Sequence, residues 1–364
     1  MAFIGLYVGI GAYVLFVQSI TSNFGSLDPR FTIQKLIDGT ADRPFVYRLL
    51  VPQITGALIY ATPDWLIQIV NSKLNNLDLA AFIQRANSNR THEIFEHPAE
   101  LYTHFALIVV IGLFLAGFVF TQYKLTRFLY PQSWAMALFS PIIGLLIIPA
   151  LKFPQISVYD ISVVFFAAIC AYYMVQKQWW RYLLFFFVAT LNKETSIFLI
   201  PLFFVNFVTR LPLRLFIRLL IAQIAIYGAT KYSINYIYRN NPGYPLENYF
   251  DSHVDAFMRV LEHYQYQELG TMFSIVFLLV YRWREKPVFV RNVLTIFPMI
   301  YIAYFWYGFP QEYRCFYDLV PLVSILITDT LIIGTGVAES SWFHHPNNVK
   351  EYITCPPQKS DHAG

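Results

Sequence analysis

Long apolar runs separated by short polar stretches set the pattern of this sequence. The first run covers residues 2–20, and further runs follow after residue 100. These lie at 101–123, 134–151, 157–176, 179–191, 196–209, 213–232, 270–281, 289–308 and 317–335. A helix needs about 20 mostly apolar residues to cross the hydrocarbon core of a bilayer. We therefore predict an all-α, polytopic transmembrane protein with about ten spans.

The apolar stretch at 179–209 is interrupted once, by Asn192-Lys193-Glu194-Thr195. Each apolar arm has about 13 residues, which is short of the roughly 20 of a spanning helix. Short arms that meet at charged residues predict a hairpin of broken or tilted helices, whose tip lies below the membrane surface in a cavity lined by protein and water. Lys193 and Glu194 are therefore candidate functional residues. The alternative is an ordinary wet tip in which the two side chains pair with each other.

Two long polar segments interrupt the apolar pattern. Residues 21–100 form a first loop, in which the moderately apolar part at 47–70 is divided by Pro52 and Pro63. We interpret 47–70 as two interfacial helices, although a full span there is an alternative that the charge pattern does not exclude. Residues 233–269 form a second loop. The domain prediction is one transmembrane domain at 1–337 and a disordered tail at 338–364.

Composition supports this class of protein. The chain is 57% hydrophobic and 13% charged, whereas soluble domains have about 25% charged residues. The net charge of +4 comes from Lys and Arg in the loops, so we expect no nucleic-acid partner. The 3 cysteines and 8 histidines show no metal-ligand spacing or disulfide framework. The N-terminal run is long for a signal peptide, and we expect an uncleaved first helix.

Basic residues are concentrated in alternate connections between the predicted spans, and they give an orientation. Four such connections are basic: Lys124 with Arg127; Lys177 with Arg181; Arg210, Arg214 and Arg218; and Arg282, Arg284, Lys286 and Arg291. Cytoplasmic loops collect Lys and Arg. We therefore predict a multi-pass membrane protein with both termini cytoplasmic.

The opposite face collects the chemically unusual residues. Its cations are Arg43, Arg48, Lys193 and Arg314, and its candidate carboxylates are Asp28, Asp38, Asp160, Glu194 and Glu312. Cations at headgroup level bind lipid phosphate, and a carboxylate can accept a proton from an acceptor hydroxyl. Each residue also has a structural alternative: Asp160 could cap the helix that follows it, and Glu312 could simply pair with Arg314.

Four short motifs stand out on this face. They are Asp28 after the first span; Arg43-Pro44-Phe45-Val46-Tyr47-Arg48; Asn192-Lys193-Glu194-Thr195 before Pro201; and Glu312-Tyr313-Arg314 before Pro321. Together they resemble a group of bacterial membrane proteins that is itself similar to the GT-C superfamily of membrane glycosyltransferases. The resemblance implies a protein of the bacterial inner membrane, a GT-C-like fold with interfacial helices in the first outer loop, and a polyprenyl-phosphate sugar as donor. It also implies that Asp28 acts as base or orients the acceptor.

From these observations we expect sugar transfer from a lipid-linked donor to a lipid, glycan or protein acceptor on the non-cytoplasmic face. Asp28 is the expected catalytic residue. The expected substrate-binding residues are Arg43, Tyr47, Arg48, Asp160, Lys193, Glu194, Glu312 and Arg314. The expected partners are the sugar donor and membrane lipid, with no cofactor and no assigned metal. The alternatives are a transporter or flippase of a lipid-linked or anionic solute, and a non-enzymatic membrane assembly subunit.

Overall fold

The computed structural model describes residues 2–22, 29–76, 98–151, 157–262, 266–309 and 313–332. Within these ranges the chain forms α-helices and short 3-10 helices, and the single β-type contact is an isolated bridge between Arg43 and Gly243. The predicted all-α class is confirmed. Asp28, Glu312 and the predicted tail at 338–364 lie outside the described residues.

The helices follow one another along the chain with short connections. The α-helices are α1 (Ala2–Ser22), α2 (Ile33–Ile37), α3 (Leu50–Ala61), α4 (Asp64–Asn76), α5 (Pro98–Leu129), α6 (Trp134–Ala150), α7 (Asp160–Val175), α8 (Trp179–Asn192), α9 (Leu199–Phe207), α10 (Leu213–Ile237), α11 (Phe250–Glu262), α12 (Tyr266–Val280), α13 (Val288–Arg291), α14 (Val293–Tyr307) and α15 (Val320–Ile332). Three 3-10 helices cover Phe45–Tyr47, Glu194–Phe198 and Tyr313–Leu319.

Four helical segments of the described chain are long and apolar enough to cross a membrane. They are Tyr102–Leu129, Leu213–Ile237, Val288–Tyr307 and Tyr313–Ile332. Several other apolar helices, among them α6 and α7, are shorter. By length and composition this is a membrane protein.

Two helices occupy the part of the first loop where interfacial helices were predicted. They are α3 and α4, separated by Thr62 and Pro63, and α4 extends to Asn76, beyond the predicted end at residue 70. Proline lacks the backbone N–H that a helix interior needs, which explains the division at Pro63. Thr62 accepts a hydrogen bond of 2.7 Å from Tyr102 of α5. This contact ties the α3–α4 junction to the start of the longest helix.

Helix α5 is the centre of the packing. It contacts α1, α3, α6 and α7, while α6 also packs on α15. Buried apolar side chains of α5, such as Leu115 and Phe118, lie in the same cluster as Leu145 of α6 and Tyr317. A second apolar cluster joins α8, α9 and α10 through Phe186, Phe203 and other residues. The first cluster includes Tyr159 and Ile161 at the start of α7, and the second includes Phe186 of α8 and Leu199 of α9. The charged residues described below lie next to these helix ends.

The predicted break in the hairpin is present. Helix α8 ends at Asn192, Lys193 has an extended backbone (φ −155°, ψ 149°), and the 3-10 helix Glu194–Phe198 then leads into α9. With a rise of about 1.5 Å per residue, α8 is about 21 Å long. A hydrocarbon core is about 30 Å thick. The arm is therefore too short to cross the core along the bilayer normal.

Candidate functional site

Asp160 is the centre of a buried group of charged side chains. It is the first residue of α7 and has no exposed surface. Its Oδ2 accepts a hydrogen bond of 2.7 Å from the backbone N–H of Ser157. Ser157 precedes the helix, and the N-cap residue of α7 is Tyr159, so the alternative in which Asp160 caps the helix is wrong. As an acidic residue in the first turn, Asp160 is still favoured by the helix dipole. The same carboxylate also binds two cations.

These two cations are Lys193 and Arg314. Lys193 Nζ lies 2.9 Å from Asp160 Oδ1, and Arg314 Nη1 lies 3.2 Å from Asp160 Oδ2. Arg314 also donates to the Ser157 hydroxyl. Burial is the largest single influence on Lys193 and lowers its pKa, whereas the Asp160 carboxylate raises it, and the net pKa lies above its ordinary value. Lys193 therefore remains a cation.

A third ion pair joins the first loop to the hairpin tip. Arg48 Nη2 lies 2.5 Å from Glu194 Oε1, and Arg48 Nε donates to Oε2 at 3.1 Å. The pair is bidentate, which is the geometry that arginine favours with carboxylates. Burial lowers the pKa of Arg48, whereas Glu194 and Tyr159 raise it, and the net pKa lies well above the ordinary value.

Tyr159 connects the Arg48–Glu194 ion pair with the Lys193–Asp160 ion pair. Its hydroxyl accepts a hydrogen bond from Arg48 Nη1, and its ring centroid lies 4.4 Å from the Arg48 guanidinium carbon and 5.7 Å from Lys193 Nζ. The face of an aromatic ring carries partial negative charge and attracts cations. We call Arg48, Tyr159, Asp160, Lys193, Glu194 and Arg314 the charged cluster.

Backbone contacts hold the cluster in place. The Leu49 N–H donates to the Leu191 carbonyl at 3.0 Å, so the residue after Arg48 is fixed to the end of α8. Asn192 accepts a hydrogen bond of 2.7 Å from Ser162 and donates to the Tyr159 carbonyl at 3.3 Å. Lys193 and Glu194, which follow Asn192, are therefore positioned by α7 as well as by their own ion partners.

One face of α10 covers the cluster. Tyr227 donates a hydrogen bond of 3.1 Å to the Glu194 carbonyl, and Asn235 accepts one of 2.7 Å from Tyr47. Residues spaced by four lie on the same face of a helix, and Lys231 lies midway between these two residues. Its Nζ is buried and has no hydrogen-bond partner in the described part of the chain.

Two further ionisable residues lie close to the cluster. Asp318 interacts electrostatically with Lys193 and Glu194, and Lys231 with Glu194 and Arg48. Among the described residues, the four cations are thus Arg48, Lys193, Lys231 and Arg314, and the three carboxylates are Asp160, Glu194 and Asp318. With all three carboxylates ionised, these seven described residues sum to one net positive charge.

Glu194 is the accessible member of the charged cluster. Its side chain is 38% exposed, whereas those of Arg48, Lys193 and Arg314 are 11%, 7% and 12% exposed. The opening to the surroundings is therefore at the Arg48–Glu194 pair, and the Asp160 ion pairs lie behind it.

The structure brings together five of the residues singled out from the sequence: Arg48, Asp160, Lys193, Glu194 and Arg314. Lys193 and Glu194 bind different partners, so the alternative of a tip in which they pair with each other is wrong. Tyr47 and Arg43 contact the end of α10 and the segment after it: Arg43 donates to the Gly243 carbonyl at 2.7 Å. Asp28 and Glu312, the remaining two, are outside the described ranges.

Sequence reasoning missed Tyr159, Lys231 and Asp318. Tyr159 had no distinguishing signal in a chain with 26 tyrosines. Lys231 did have one, because it is a lone cation near the end of an apolar run, with Tyr227 and Asn235 at a spacing of four residues. Asp318 likewise was an ionisable residue inside a predicted span.

No group of three or more His, Cys, Asp or Glu side chains among the described residues has the arrangement of a metal site. Comparison with protein-family models, with curated proteins and with solved structures gives no match to this chain. A functional hypothesis for this protein therefore depends on its own residues and their geometry.

Proposed function

We propose that this protein is a membrane glycosyltransferase that transfers a sugar from a polyprenyl-phosphate donor to a lipid, glycan or protein acceptor on the non-cytoplasmic face. The observation that carries the proposal is the convergence of Arg48, Lys193 and Arg314 beside the accessible Glu194. These residues come from three distant parts of the chain. A buried group of cations beside an opening is suited to an anionic headgroup.

The topology that we propose has about ten spans, with the broken hairpin and the first loop on the same side. The length of α8, about 21 Å, supports a tip that lies below the membrane surface. A charged tip at that depth requires protein or water around it, because unpaired charges in lipid are costly. The ion pairs of Lys193 and Glu194 meet that requirement.

In the proposed reaction, an acceptor hydroxyl oxygen attacks the anomeric carbon of the donor sugar. The new carbon–oxygen bond forms as the bond between that carbon and the phosphate oxygen breaks, and the bonding pair leaves with the phosphate. Negative charge therefore grows on the leaving phosphate. Arg48, Lys193 and Arg314 stabilise that charge electrostatically in a site with little water.

The hydroxyl proton needs an acceptor, and we assign that role to Asp28 of the first loop. A carboxylate within hydrogen-bond distance of the hydroxyl can remove its proton as the new bond forms. Asp160 and Glu194 are less suited to this role, because each already binds cations. They position the cations instead.

Sugar transfer by the purified full-length chain tests the proposal. The protein is reconstituted in nanodiscs with polyprenyl-phosphate hexose or pentose and a membrane extract as acceptor, and donor consumption and product formation are measured by mass spectrometry. We expect Asp28→Asn to lose at least about 100-fold in rate, which is the range for loss of a general base. Arg48→Met should also lose at least about 100-fold, which is the range for loss of one electrostatic contact to the transition state. Asp38→Asn, an exposed carboxylate of the same loop, is the matched control and should retain wild-type activity. Equal transfer by Asp28→Asn and wild type would remove Asp28 from the mechanism.

The helix break at Lys193 favours a second candidate function, transport of a lipid-linked or anionic solute. Transporters place broken helices and charged groups at their substrate sites. Movement of the polyprenyl-phosphate sugar between leaflets, without any covalent product, would support transport and contradict the glycosyltransferase proposal.

A further inference from the structure

Among the described cations of the site, Lys231 differs in forming no ion pair with another described residue. Arg48 binds Glu194, and Lys193 and Arg314 bind Asp160. The Lys231 ammonium is buried and makes no hydrogen bond within the described ranges. A buried ammonium without a partner costs free energy, and a bound anion would offset that cost.

The position of Lys231 is fixed by contacts on either side of it along α10. Tyr227, one helical turn before it, is hydrogen-bonded to the Glu194 carbonyl, and Asn235, one turn after it, to Tyr47. Glu194 is a member of the Arg48–Glu194 pair, and Tyr47 precedes Arg48 in the chain. The Lys231 side chain therefore lies beside the accessible end of the charged cluster, where Glu194 is 38% exposed.

The charge balance agrees with an anionic ligand at this point. Among the described residues of the site there are four cations and three carboxylates, and Lys231 is the cation that forms no ion pair with any of them. Lysine binds phosphate as a point charge that needs no fixed geometry. It is therefore suited to a phosphate group that enters from the side of Glu194.

We propose that Lys231 is the primary ligand of the substrate phosphate, and that Arg48 is the second cation of that site. The inference rests on the proposed function for the identity of the phosphate as that of a polyprenyl lipid. The binding site itself requires only a phosphate group, which a membrane phospholipid or free phosphate could also supply. Its test therefore measures binding and not sugar transfer.

Binding of farnesyl phosphate, a short polyprenyl phosphate, is compared with binding of farnesol by the full-length protein in detergent. We expect the wild type to prefer the phosphate at least tenfold. Lys231→Met should lose that preference, and Lys231→Arg should retain most of it. Arg218→Met, which removes one exposed cation near the other end of the same helix, is the matched control and should bind like the wild type.

Competition then identifies the source of the phosphate. Displacement of farnesyl phosphate by inorganic phosphate or by phosphatidylglycerol supports a general phosphate site, and resistance to both supports a site for the polyprenyl lipid. A tenfold preference that persists in Lys231→Met would overturn the inference. So would a wild type that binds farnesol and farnesyl phosphate equally.

A measurement on the wild type alone covers the case in which Lys231→Met does not fold. Reductive methylation of Lys231, read by mass spectrometry of its peptide, should slow at least tenfold in the presence of farnesyl phosphate, while methylation of Lys35 stays unchanged. Equal methylation of Lys231 with and without the ligand would contradict the site. Phosphate binding without sugar transfer would defeat the proposed function and leave this inference standing.

Discussion

The charged cluster is a set of residues in which each ion pair supports its neighbour. Asp160 alone forms ion pairs with two cations from distant parts of the chain, while Tyr159 contacts both Arg48 and Lys193. Loss of one member leaves its partners as buried, uncompensated charges, which costs more than the pair itself contributes. The residue that binds the most partners should therefore be the least tolerant of change.

Asp160→Asn keeps the shape of the side chain and removes its charge. Lys193 and Arg314 then lack a carboxylate partner, and we expect the free energy of unfolding to fall by about 3 kcal/mol. The measurement is the unfolding transition of the purified protein in detergent. Asp255→Asn, an exposed carboxylate on α11, is the control and should change stability by less than about 0.5 kcal/mol. Equal transitions for Asp160→Asn and wild type would show that the Asp160 ion pairs are not formed.

Arg48→Lys keeps the charge and removes the bidentate geometry. A lysine cannot contact both Glu194 oxygens and the Tyr159 hydroxyl at once, so the link between the first loop and the hairpin tip weakens. We expect amide exchange at Leu49, whose N–H is bonded to Leu191, to accelerate about tenfold, which corresponds to about 1.4 kcal/mol.

Hydrogen exchange read by mass spectrometry provides this measurement. Arg239→Lys changes an exposed arginine stacked on Tyr236 and should leave exchange at Leu49 unchanged. Wild-type exchange rates in Arg48→Lys would mean that the guanidinium does not hold the loop.

At the scale of elements, the first loop is held against the segment after α10. The backbone N–H of Arg43 bonds to the Pro242 carbonyl at 2.8 Å, and Asn241 donates to the carbonyls of Gly39 and Ala41. Gly243 has φ +84°, and a Cβ there would lie 2.5 Å from the Arg43 carbonyl oxygen. This close approach of two backbones is possible only with glycine.

Gly243→Ala should detach the first loop from this segment. The new methyl group clashes with backbone and the positive φ is strained, so we expect a loss of at least about 1 kcal/mol. Faster proteolysis of the first loop is the readout. Gly228→Ala is the control, because nothing lies within 4 Å of a Cβ there, and alanine favours a helix over glycine. Equal proteolysis of the Gly243→Ala and Gly228→Ala variants would contradict the docked loop.

The hairpin shows how far elements can be predicted from the sequence. Its break followed from polar residues between two short apolar arms, and the division of α3 from α4 followed from Pro63. Lys193 and Glu194 could be identified because charge in an apolar stretch stands out. Their partners could not be, because pairing across more than 30 residues depends on how α7, α8 and the first loop pack.

At the scale of the whole molecule, a second polar group lies at the other end of the helices. Lys286 donates to the Leu326 carbonyl at 2.8 Å and to Thr330 at 2.6 Å, while Tyr130 donates to Asp329 at 2.6 Å. The span Tyr313–Ile332 runs from the charged cluster to this group. The predicted cytoplasmic connections therefore lie at the end opposite to the cluster.

At this scale, the sequence allowed a prediction of which connections share a side, but not of which residues complete the charged cluster. The sides of the loops followed from the positions of basic residues, and the candidate residues followed from those sides. Lys231 and Asp318 stand out in the sequence as ionisable residues of predicted spans. Their place beside the hairpin tip could not be predicted, because it depends on how α10 and the Tyr313–Leu319 segment pack against the hairpin.

The proposed function requires the charged cluster to face the non-cytoplasmic side. Thiol labelling in sealed right-side-out vesicles tests this orientation directly. Tyr244→Cys, a 77% exposed position beside the Arg43–Gly243 contact, is compared with Arg284→Cys in a basic connection, after the native cysteines are replaced by alanine. An impermeant maleimide should label position 244 in intact vesicles and position 284 only after permeabilisation. Labelling of position 284 but not position 244 in intact vesicles would contradict a charged cluster on the non-cytoplasmic side.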